Sequence, residues 1–227
     1  MYSLHKGDCL PYMKTLPDKA FDLIVTDPPY GIGIASNPIR QKHERENWDN
    51  AIPHDEVFAE MFRVSKNQII WGGNYYPLPP HKNYLIWDKG QPENFSLAMC
   101  EMAWTSFDMP AKIFYHSVKK GKGGKSNIHP TQKPVALMRW CIAKFAEAGW
   151  SIFDPFAGVG STLVAALELG LPAYGCEISP KYYSLGLKRC EQAVLSPSFY
   201  TLPNKSVNPT KGSLPTSQAE STPQTLF

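Results

Sequence analysis

Short apolar runs alternate with longer helix-like stretches along most of the chain. Six runs rich in β-branched and aromatic residues predict strands: Phe21 to Thr26, Asn67 to Trp71, Asn83 to Trp87, Glu101 to Thr105, Ser151 to Phe153 and Pro172 to Cys176. Four stretches predict helices: His54 to Val64, Pro134 to Ala148, Ser161 to Leu169 and Pro180 to Ala193. This alternation predicts an α/β fold in which helices cover both faces of a mainly parallel sheet.

Two long polar segments interrupt the alternation. Residues 31–50 follow the first predicted strand and carry basic side chains and Trp48, whereas residues 107–127 interleave lysines with glycines. We interpret both as loops that contact nucleic-acid phosphates, although such segments are also typical of disordered or solvated surface. From Ser196 onward Ser, Pro, Thr, Asn and Gln replace periodic apolar residues. The pattern therefore predicts one folded domain over residues 1–194 and a disordered tail over 195–227.

Composition narrows the class of protein only modestly. A chain of 227 residues with 43% hydrophobic content is long enough for one α/β domain, and its net charge of +3 is weak support for a polyanionic partner. The five cysteines have neither zinc-site spacing nor a compact disulfide pattern. No run approaches the roughly 20 apolar residues of a membrane span. We expect a soluble cytoplasmic protein that has no metal and no membrane association.

The tetrapeptide Asp27-Pro28-Pro29-Tyr30 directly follows the first predicted strand, at the sheet edge where α/β proteins bind ligands. The prolines fix φ and lack N–H donors, which leaves their carbonyls as acceptors. An exocyclic amine of adenine or cytosine is a poor nucleophile until its N–H groups donate hydrogen bonds, and Asp27 and the Pro28 carbonyl suit that role. Tyr30 offers a ring on which an extruded base would stack. The same residues are also compatible with an ordinary turn.

A second segment, Phe153 to Thr162, takes a short strand through a glycine turn into a helix. Gly158 and Gly160 allow close backbone approach, and Ser161 or Thr162 can cap the helix. The segment lacks the third glycine of a dinucleotide site and the Lys of a phosphate loop, which disfavours pyrophosphate and a nicotinamide-dependent oxidoreductase. Glu177 ends the next strand, as expected for an acid that binds ribose hydroxyls. A ribose without a pyrophosphate suits S-adenosylmethionine.

Two shorter elements complete the candidate site. His129-Pro130-Thr131-Gln132-Lys133-Pro134 forms a rigid start to a predicted helix and could line the methionine end of the cofactor. Near the amino terminus, Asp8 is a potential acceptor for an adenine amine, though Gly7-Asp8 is equally a plain turn. No histidine pattern favours a metal, and no Pro-Cys pair offers the nucleophile that cytosine C5 methylation uses.

Together, Asp-Pro-Pro-Tyr, His-Pro-Thr-Gln-Lys-Pro and Asp-Pro-Phe-Ala-Gly-Val-Gly-Ser-Thr resemble the amino-DNA methyltransferases. Their order resembles the circularly permuted beta class, over residues 1–194. The resemblance implies a seven-stranded, Rossmann-like methyltransferase sheet with one antiparallel strand, closed by an amino-terminal strand around Ser3 to Lys6. It implies the cofactor S-adenosyl-L-methionine, a double-stranded DNA substrate and a prokaryotic or phage restriction-modification setting. A homodimer is an open alternative, because the family's target-recognition region is short here.

The resemblance also assigns the site residues. The catalytic residues are Asp27, Pro28, Pro29 and Tyr30, and the cofactor-binding residues are Asp8, Pro130, Thr131, Lys133, Asp154, Phe156, Gly158, Gly160, Ser161, Thr162 and Glu177. In this family an initial Asp in the tetrapeptide favours adenine N6, whereas an initial Ser is more typical of cytosine N4. Adenine is therefore expected. Cytosine N4, an RNA or protein acceptor, and a catalytically inactive DNA-binding subunit stay as alternatives.

Overall fold

A computed structural model describes residues 1–32, 52–94, 98–117 and 132–196, together with residues 200 and 202. These residues form eight strands: β1 (Tyr2–Lys6), β2 (Phe21–Thr26), β3 (Ser65–Trp71), β4 (Tyr84–Asp88), β5 (Cys100–Thr105), β6 (Lys112–Tyr115), β7 (Ile152–Asp154) and β8 (Ala173–Glu177). Five helices accompany them: α1 (Cys9–Lys14), α2 (Asp55–Val64), α3 (Val135–Phe145), α4 (Ser161–Glu168) and α5 (Pro180–Leu195). All the predicted strands and helices are present, with small shifts at their ends.

The strands form one sheet in the order β1-β8-β7-β2-β3-β5-β4-β6. Strand β5 runs antiparallel to its neighbours, β3 and β4, and the other pairings of the described strands are parallel. The predicted seven-strand count was one too low. The extra strand, β6, falls inside the 107–127 segment that was expected to be an irregular loop, and it pairs with β4 from Leu85↔Lys112 onward. The remainder of that segment from 118, and residues 33–50 of the other predicted loop, lie outside the described residues.

Helices cover both faces of the sheet, as the alternation predicted. One face packs α3, α4 and α5 against strand side chains that include Leu23 and Val25. The other packs α1 and α2 against side chains that include Ile24. The three side chains are completely buried because β2 lies inside a parallel sheet covered on both faces. None of the helices in the described ranges has the length and apolar character that crossing a bilayer requires.

The chain topology creates a crevice between β2 and β7. From β2 the chain passes through α2 to β3 on one side, whereas from β7 it passes through α4 to β8 on the other. Adjacent parallel strands whose connections leave in opposite directions leave a gap at their carboxyl ends, which is where open α/β sheets bind ligands. The carboxyl ends of β2 and β7 carry Asp27 and Asp154 respectively. The fold therefore brings the two main sequence motifs together.

Candidate active site

A cavity of about 410 Å³ opens at this crevice. We call it the central cavity. Its lining includes most of the residues expected from the sequence, namely Asp8, Asp27, Pro29, Lys133, Asp154, Phe156, Gly158, Ser161, Thr162 and Glu177. Pro53, Val57, Met138 and Ile178 add apolar surface that the sequence motifs did not identify. The exposed surface of this lining is more apolar than polar, as is typical of a small-molecule site with a few convergent polar groups.

Asp154 fixes the position of the glycine turn. The side chain is 3% exposed, and its Oδ1 accepts a 2.7 Å hydrogen bond from the Thr26 hydroxyl and a 3.0 Å bond from the Phe156 amide. Burial raises the pKa of Asp154 to about 6, although these hydrogen bonds oppose the rise. Because Thr26 ends β2, the bond from its hydroxyl ties the turn to the strand that leads into the Asp27 tetrapeptide.

Glycine is required in the turn and beneath it. Gly160 has φ of +76°, a left-handed conformation that side chains disfavour. Gly175, in β8, lies directly under the turn, since a Cβ there would stand 3.0 Å from the Ala157 Cβ, the Asp154 carbonyl oxygen and a Leu163 methyl carbon. The Ala157 amide donates to the Cys176 carbonyl at 2.9 Å. The turn therefore packs directly on the backbone of β8. The sequence motifs did not reveal this role of Gly175.

The cap of α4 differs from the prediction. Gly160 is the N-cap residue and makes no side-chain capping bond, so the expectation that Ser161 or Thr162 caps the helix was wrong. The left-handed turn ends one residue earlier than the hydroxyl residues, which therefore fall in the first helical turn. Ser161 instead lies 3.4 Å from the Gln132 side-chain nitrogen. The other amide atom of Gln132, Oε1, is buried and has no hydrogen-bond partner among the described residues.

The acid at the end of β8 and the amino-terminal Asp lie on neighbouring strand ends. Glu177 is 9% exposed, and its Oε1 accepts a 2.7 Å bond from the Ser179 amide. The Gly7 amide donates to the Glu177 carbonyl at 3.0 Å, which continues the pairing of β1 with β8. Asp8 follows as the N-cap of α1 and accepts from the Leu10 amide at 2.9 Å. The short helix α1 was not predicted, but it explains how Asp8 is held beside the cavity.

The carboxylate of Asp27 is bound by two other members of the predicted site. The Lys133 ammonium lies 2.7 Å from each carboxylate oxygen, and the Tyr30 hydroxyl donates to Oδ1 at 2.7 Å. Lys133 is only 5% exposed. Burial and the nearby carboxylates raise the pKa of Tyr30 well above its ordinary value, so its hydroxyl stays a donor. Lys133 was predicted to bind a cofactor; it lines the central cavity, and its ammonium contacts Asp27 and Tyr30 of the tetrapeptide.

Two residues outside every motif extend this cluster. Glu101, on β5, accepts from Lys133 at 2.8 Å through one oxygen, and Lys89 lies 2.6 Å from its other oxygen. Burial alone would raise the pKa of Glu101, but Lys133 and Lys89 outweigh it and lower the pKa to about 2. Burial lowers the pKa of Lys133, whereas Asp27 and Glu101 raise it, and the net effect is a rise. These shifts keep Glu101 anionic and Lys133 cationic at neutral pH.

Two adjacent tyrosines pack around the tetrapeptide. The ring of Tyr75, which is 42% exposed, stacks on Tyr30 with centroids 4.8 Å apart and planes 16° apart. The buried Tyr76 hydroxyl donates to the Pro28 carbonyl at 2.8 Å and lies 3.2 Å from the Pro29 carbonyl. The Pro28 carbonyl, expected to be an open acceptor, therefore already has one donor. A carbonyl oxygen has two lone pairs, so it can accept a second.

Two of the residues predicted from the sequence, Pro130 and Thr131, lie outside the described residues. The other predicted residues are placed at or around the central cavity. The described parts of the chain hold no group of three or more His, Cys, Asp or Glu side chains suited to a metal ion. The residues that the motifs did not reveal are Glu101, Lys89, Tyr75, Tyr76 and Gly175.

Comparison with known proteins identifies the family of the chain. The model of a DNA methylase family, N6_N4_Mtase, matches residues 70–188, which is more than half of the chain. YubD of Escherichia coli (strain K12), described as a putative methylase, is 27% identical over 208 residues, covering 81% of this chain and 88% of YubD. The type II methyltransferase M.HinfI of Haemophilus influenzae is 24% identical over 263 residues, covering 91% and 73% respectively.

The fold is also found in solved structures. The putative DNA modification methylase TTHA0409 of Thermus thermophilus, in complex with S-adenosyl-L-methionine, superposes with a TM-score of 0.56 at 22% identity. The match covers 89% of this chain and all of the other. At that level of identity the likeness establishes a shared fold.

Proposed function

This chain belongs to the N6/N4 DNA methylase family, and on that premise we propose that it transfers a methyl group from S-adenosyl-L-methionine to the N6 amino group of adenine in double-stranded DNA. The observation that carries the proposal is the position of Asp27. Asp27 lines the same cavity as the glycine turn and Glu177. A hydrogen-bond acceptor for the target amine therefore lies beside the proposed cofactor site. Methyl transfer requires that adjacency, because the nitrogen and the methyl carbon must come into line.

The residues of the central cavity fit S-adenosyl-L-methionine. Glu177 stands at a strand end where a carboxylate can bind ribose hydroxyls. Asp8 lies on the neighbouring strand end and offers an acceptor to an adenine amine, while Ile178 and Val57 supply apolar surface for a ring. The unpartnered Gln132 Oε1 is an acceptor of the kind that an amino-acid ammonium group requires. We assign the cofactor to this cavity, with Pro130 and Thr131 as further proposed contacts.

S-adenosyl-L-methionine supplies a methyl group on a cationic sulfur, which needs no metal to be transferred. The protein's part is to position and polarise the amine. Asp27 and the second lone pair of the Pro28 carbonyl accept hydrogen bonds from the two N–H groups, which draws the nitrogen towards tetrahedral geometry. As the nitrogen acquires the methyl group it becomes positively charged, and the Asp27 carboxylate stabilises that charge more in the transition state than in the ground state. The positively charged nitrogen then releases one proton to solvent water.

The choice of adenine rests on the first residue of the tetrapeptide. Asp27 provides an anionic hydrogen-bond acceptor at a position where the cytosine-N4 enzymes among the amino-DNA methyltransferases more often have Ser. Double-stranded DNA is the proposed substrate, with residues 31–50 and 107–127 as proposed contacts to its backbone. A base within a duplex must be extruded to reach Asp27, since the cavity lies at a recessed strand edge. A DNA substrate implies that the protein works where DNA is held, which in bacteria is the cytoplasm.

The test is direct. Purified protein is incubated with tritium-labelled S-adenosyl-L-methionine and unmethylated genomic DNA, and the DNA is digested to nucleosides for mass spectrometry. We expect labelled N6-methyladenine. Labelled N4-methylcytosine would keep the reaction and overturn the choice of base. Absence of both, with the cofactor bound, would overturn the proposal.

A further inference from the structure

The ion pairs around Asp27 form a continuous chain of alternating charge, Lys89–Glu101–Lys133–Asp27. Successive nitrogen–oxygen distances are 2.6, 2.8 and 2.7 Å. The side chains are between 5% and 22% exposed, so water screens the charges poorly. Four segments contribute one residue each: the residue after β4, strand β5, the segment before α3 and the residue after β2. Asp27 and Lys133 line the central cavity, whereas Glu101 and Lys89 do not.

Lys133 has more acceptors than protons. An ammonium group has three N–H donors. Four oxygens lie within hydrogen-bond distance of its nitrogen: both Asp27 oxygens at 2.7 Å, the Glu101 oxygen at 2.8 Å and the Tyr30 hydroxyl at 3.0 Å. If an entering amine takes over one Asp27 oxygen, three acceptors still remain for three donors. Because Glu101 is one of these three acceptors, the Lys133 ammonium keeps an anionic partner that it does not share with the amine.

We propose that Glu101 is a positioning residue, which holds the Lys133 ammonium while the target amine binds to one oxygen of Asp27. The inference rests on the proposed function and adds to it a residue outside the family motifs. Without the Glu101 charge, Asp27 would be the only anion of the described residues paired with Lys133. The amine would then have to compete with a buried cation for its sole countercharge, which is costly in a poorly solvated site.

Lys89 explains why Glu101 keeps its orientation. Its ammonium lies 2.6 Å from the Glu101 oxygen that does not face Lys133. The register of the antiparallel β4–β5 pair places Trp87 opposite Glu101, so Lys89, two residues beyond, reaches the same carboxylate. Because each oxygen of Glu101 has a cation of its own, the carboxylate cannot rotate away from Lys133 without losing one ion pair.

The test compares three variants with the wild-type protein. Glu101→Gln keeps the shape and removes the charge, and Glu101→Asp keeps the charge on a shorter side chain. Glu168→Gln is the matched control, since Glu168 is 24% exposed against 22% for Glu101 and is also paired with a cation, Arg139. We expect kcat to fall about 10- to 100-fold in Glu101→Gln, the range for a lost hydrogen bond to a charged group. Glu101→Asp should recover part of that loss, and the control should show no loss.

Two further measurements separate positioning from damage to the fold. The dissociation constant of S-adenosyl-L-methionine should stay within about twofold of wild type, because Glu101 does not line the central cavity. The acidic limb of the kcat–pH profile should move to lower pH. Burial raises the pKa of Asp27, Glu101 raises it further, and Lys133 and Tyr30 lower it. Asp27 also interacts electrostatically with the nearby carboxylate of Asp154. Glu101→Gln removes one of the charges that raise the pKa of Asp27 and leaves the other causes in place. The pKa of Asp27 should therefore fall, which moves the acidic limb to lower pH.

Each outcome decides between alternatives. Wild-type kcat in Glu101→Gln would overturn the inference and leave the proposed function intact. So would a loss of kcat that is equal in both Glu101 variants with no shift of the acidic limb, because that pattern indicates a structural role. A wild-type protein that methylates neither base would overturn the proposed function and the role of Glu101 with it.

Discussion

The two halves of the central cavity are built in different ways. The glycine turn between β7 and α4 is one continuous segment, fixed by backbone contacts with β8 and by one buried carboxylate, Asp154. The tetrapeptide after β2 is also continuous, but its carboxylate is bound by side chains from distant parts of the chain, Lys133 directly and Glu101 through it. The shape of the first half is therefore specified mainly by backbone contacts, whereas the charge of the second is specified by side chains from distant parts of the chain.

This difference predicts different failures. A change in the glycine turn should alter how well the cofactor fits and leave the chemistry of the bound complex nearly unchanged. A change near Asp27 should alter turnover and leave cofactor affinity nearly unchanged. The two halves meet at Thr26, whose hydroxyl donates to Asp154 while its backbone leads into Asp27. Substitutions on each side of this junction test whether the halves are separable.

The largest effect is expected at Asp27. Asp27→Ala removes the acceptor for the amine and the charge that stabilises the methylated nitrogen, so turnover should fall about 1000-fold, as for other groups that act on transition-state charge. Lys133 keeps Glu101 as a partner, so the fold should survive. Turnover is measured by tritium transfer to DNA, and cofactor affinity by calorimetry, which should change by no more than about twofold.

Asp18→Ala is the control for Asp27→Ala. Asp18 is 76% exposed, pairs with Arg63 at the surface and does not line the central cavity, so its loss should change neither quantity. A tenth or more of wild-type turnover in Asp27→Ala would contradict the role given to that carboxylate. A large loss of cofactor affinity would instead show that the two halves are not separable.

The next largest effect is expected at Gly175, on the other side of the junction. Gly175→Val would bring side-chain atoms against Ala157 and the Asp154 carbonyl, because even a Cβ would lie 3.0 Å from both. The turn must move, and an overpacking cost of roughly 1–3 kcal/mol, if it falls on the cofactor-bound state, weakens cofactor affinity about 5- to 150-fold. Calorimetry measures this directly, while kcat at saturating cofactor should stay close to wild type.

Gly149→Ala is the matched control for general strain. Gly149 lies between α3 and β7 with φ of +83°, and a Cβ added there would meet no atom within 4 Å, so Ala at this position costs backbone strain alone. It should lower Tm by a few degrees, as about 1 kcal/mol does in a chain of this size. Cofactor affinity should not change. Equal loss of affinity in both variants would mean that the Gly175 effect is only destabilisation.

The same contrast explains what could be predicted from the sequence. The tetrapeptide, the glycine turn and Glu177 each stand at the end of an apolar run, so the predicted strand ends were enough to locate them. The N-cap of α4 was misplaced, since a left-handed φ at Gly160 ends the turn before the hydroxyl residues. Strand β6 was missed because it has only four residues in a polar segment, and α1 because it has only six, with Pro11 among them.

The charged cluster had no contiguous signal. Glu101 lies inside a strand and Lys89 just after another, and they meet only because β4 and β5 pair antiparallel in one particular register. Lys133 belongs to a recognised motif, but the sequence alone did not indicate which carboxylates its ammonium would reach. A charged residue within an apolar strand was the one available hint, and it identifies Glu101 as unusual without naming its partner.

The smallest effect is expected at Tyr76, which tests whether the prolines alone orient the Pro28 and Pro29 carbonyls. The hydroxyl of this 7% exposed residue donates to the Pro28 carbonyl at 2.8 Å, and its ring packs on Phe58. Tyr76→Phe keeps the ring and removes the donor, so turnover should fall roughly fivefold, in line with a net hydrogen-bond contribution near 1 kcal/mol. Cofactor affinity should be unchanged. Tyr200→Phe, at a 54% exposed residue that does not line the central cavity, should have no effect. Wild-type turnover in Tyr76→Phe would mean that the fixed φ of the prolines positions the acceptor by itself, and the long-range control of this half would then be limited to the charges on Asp27.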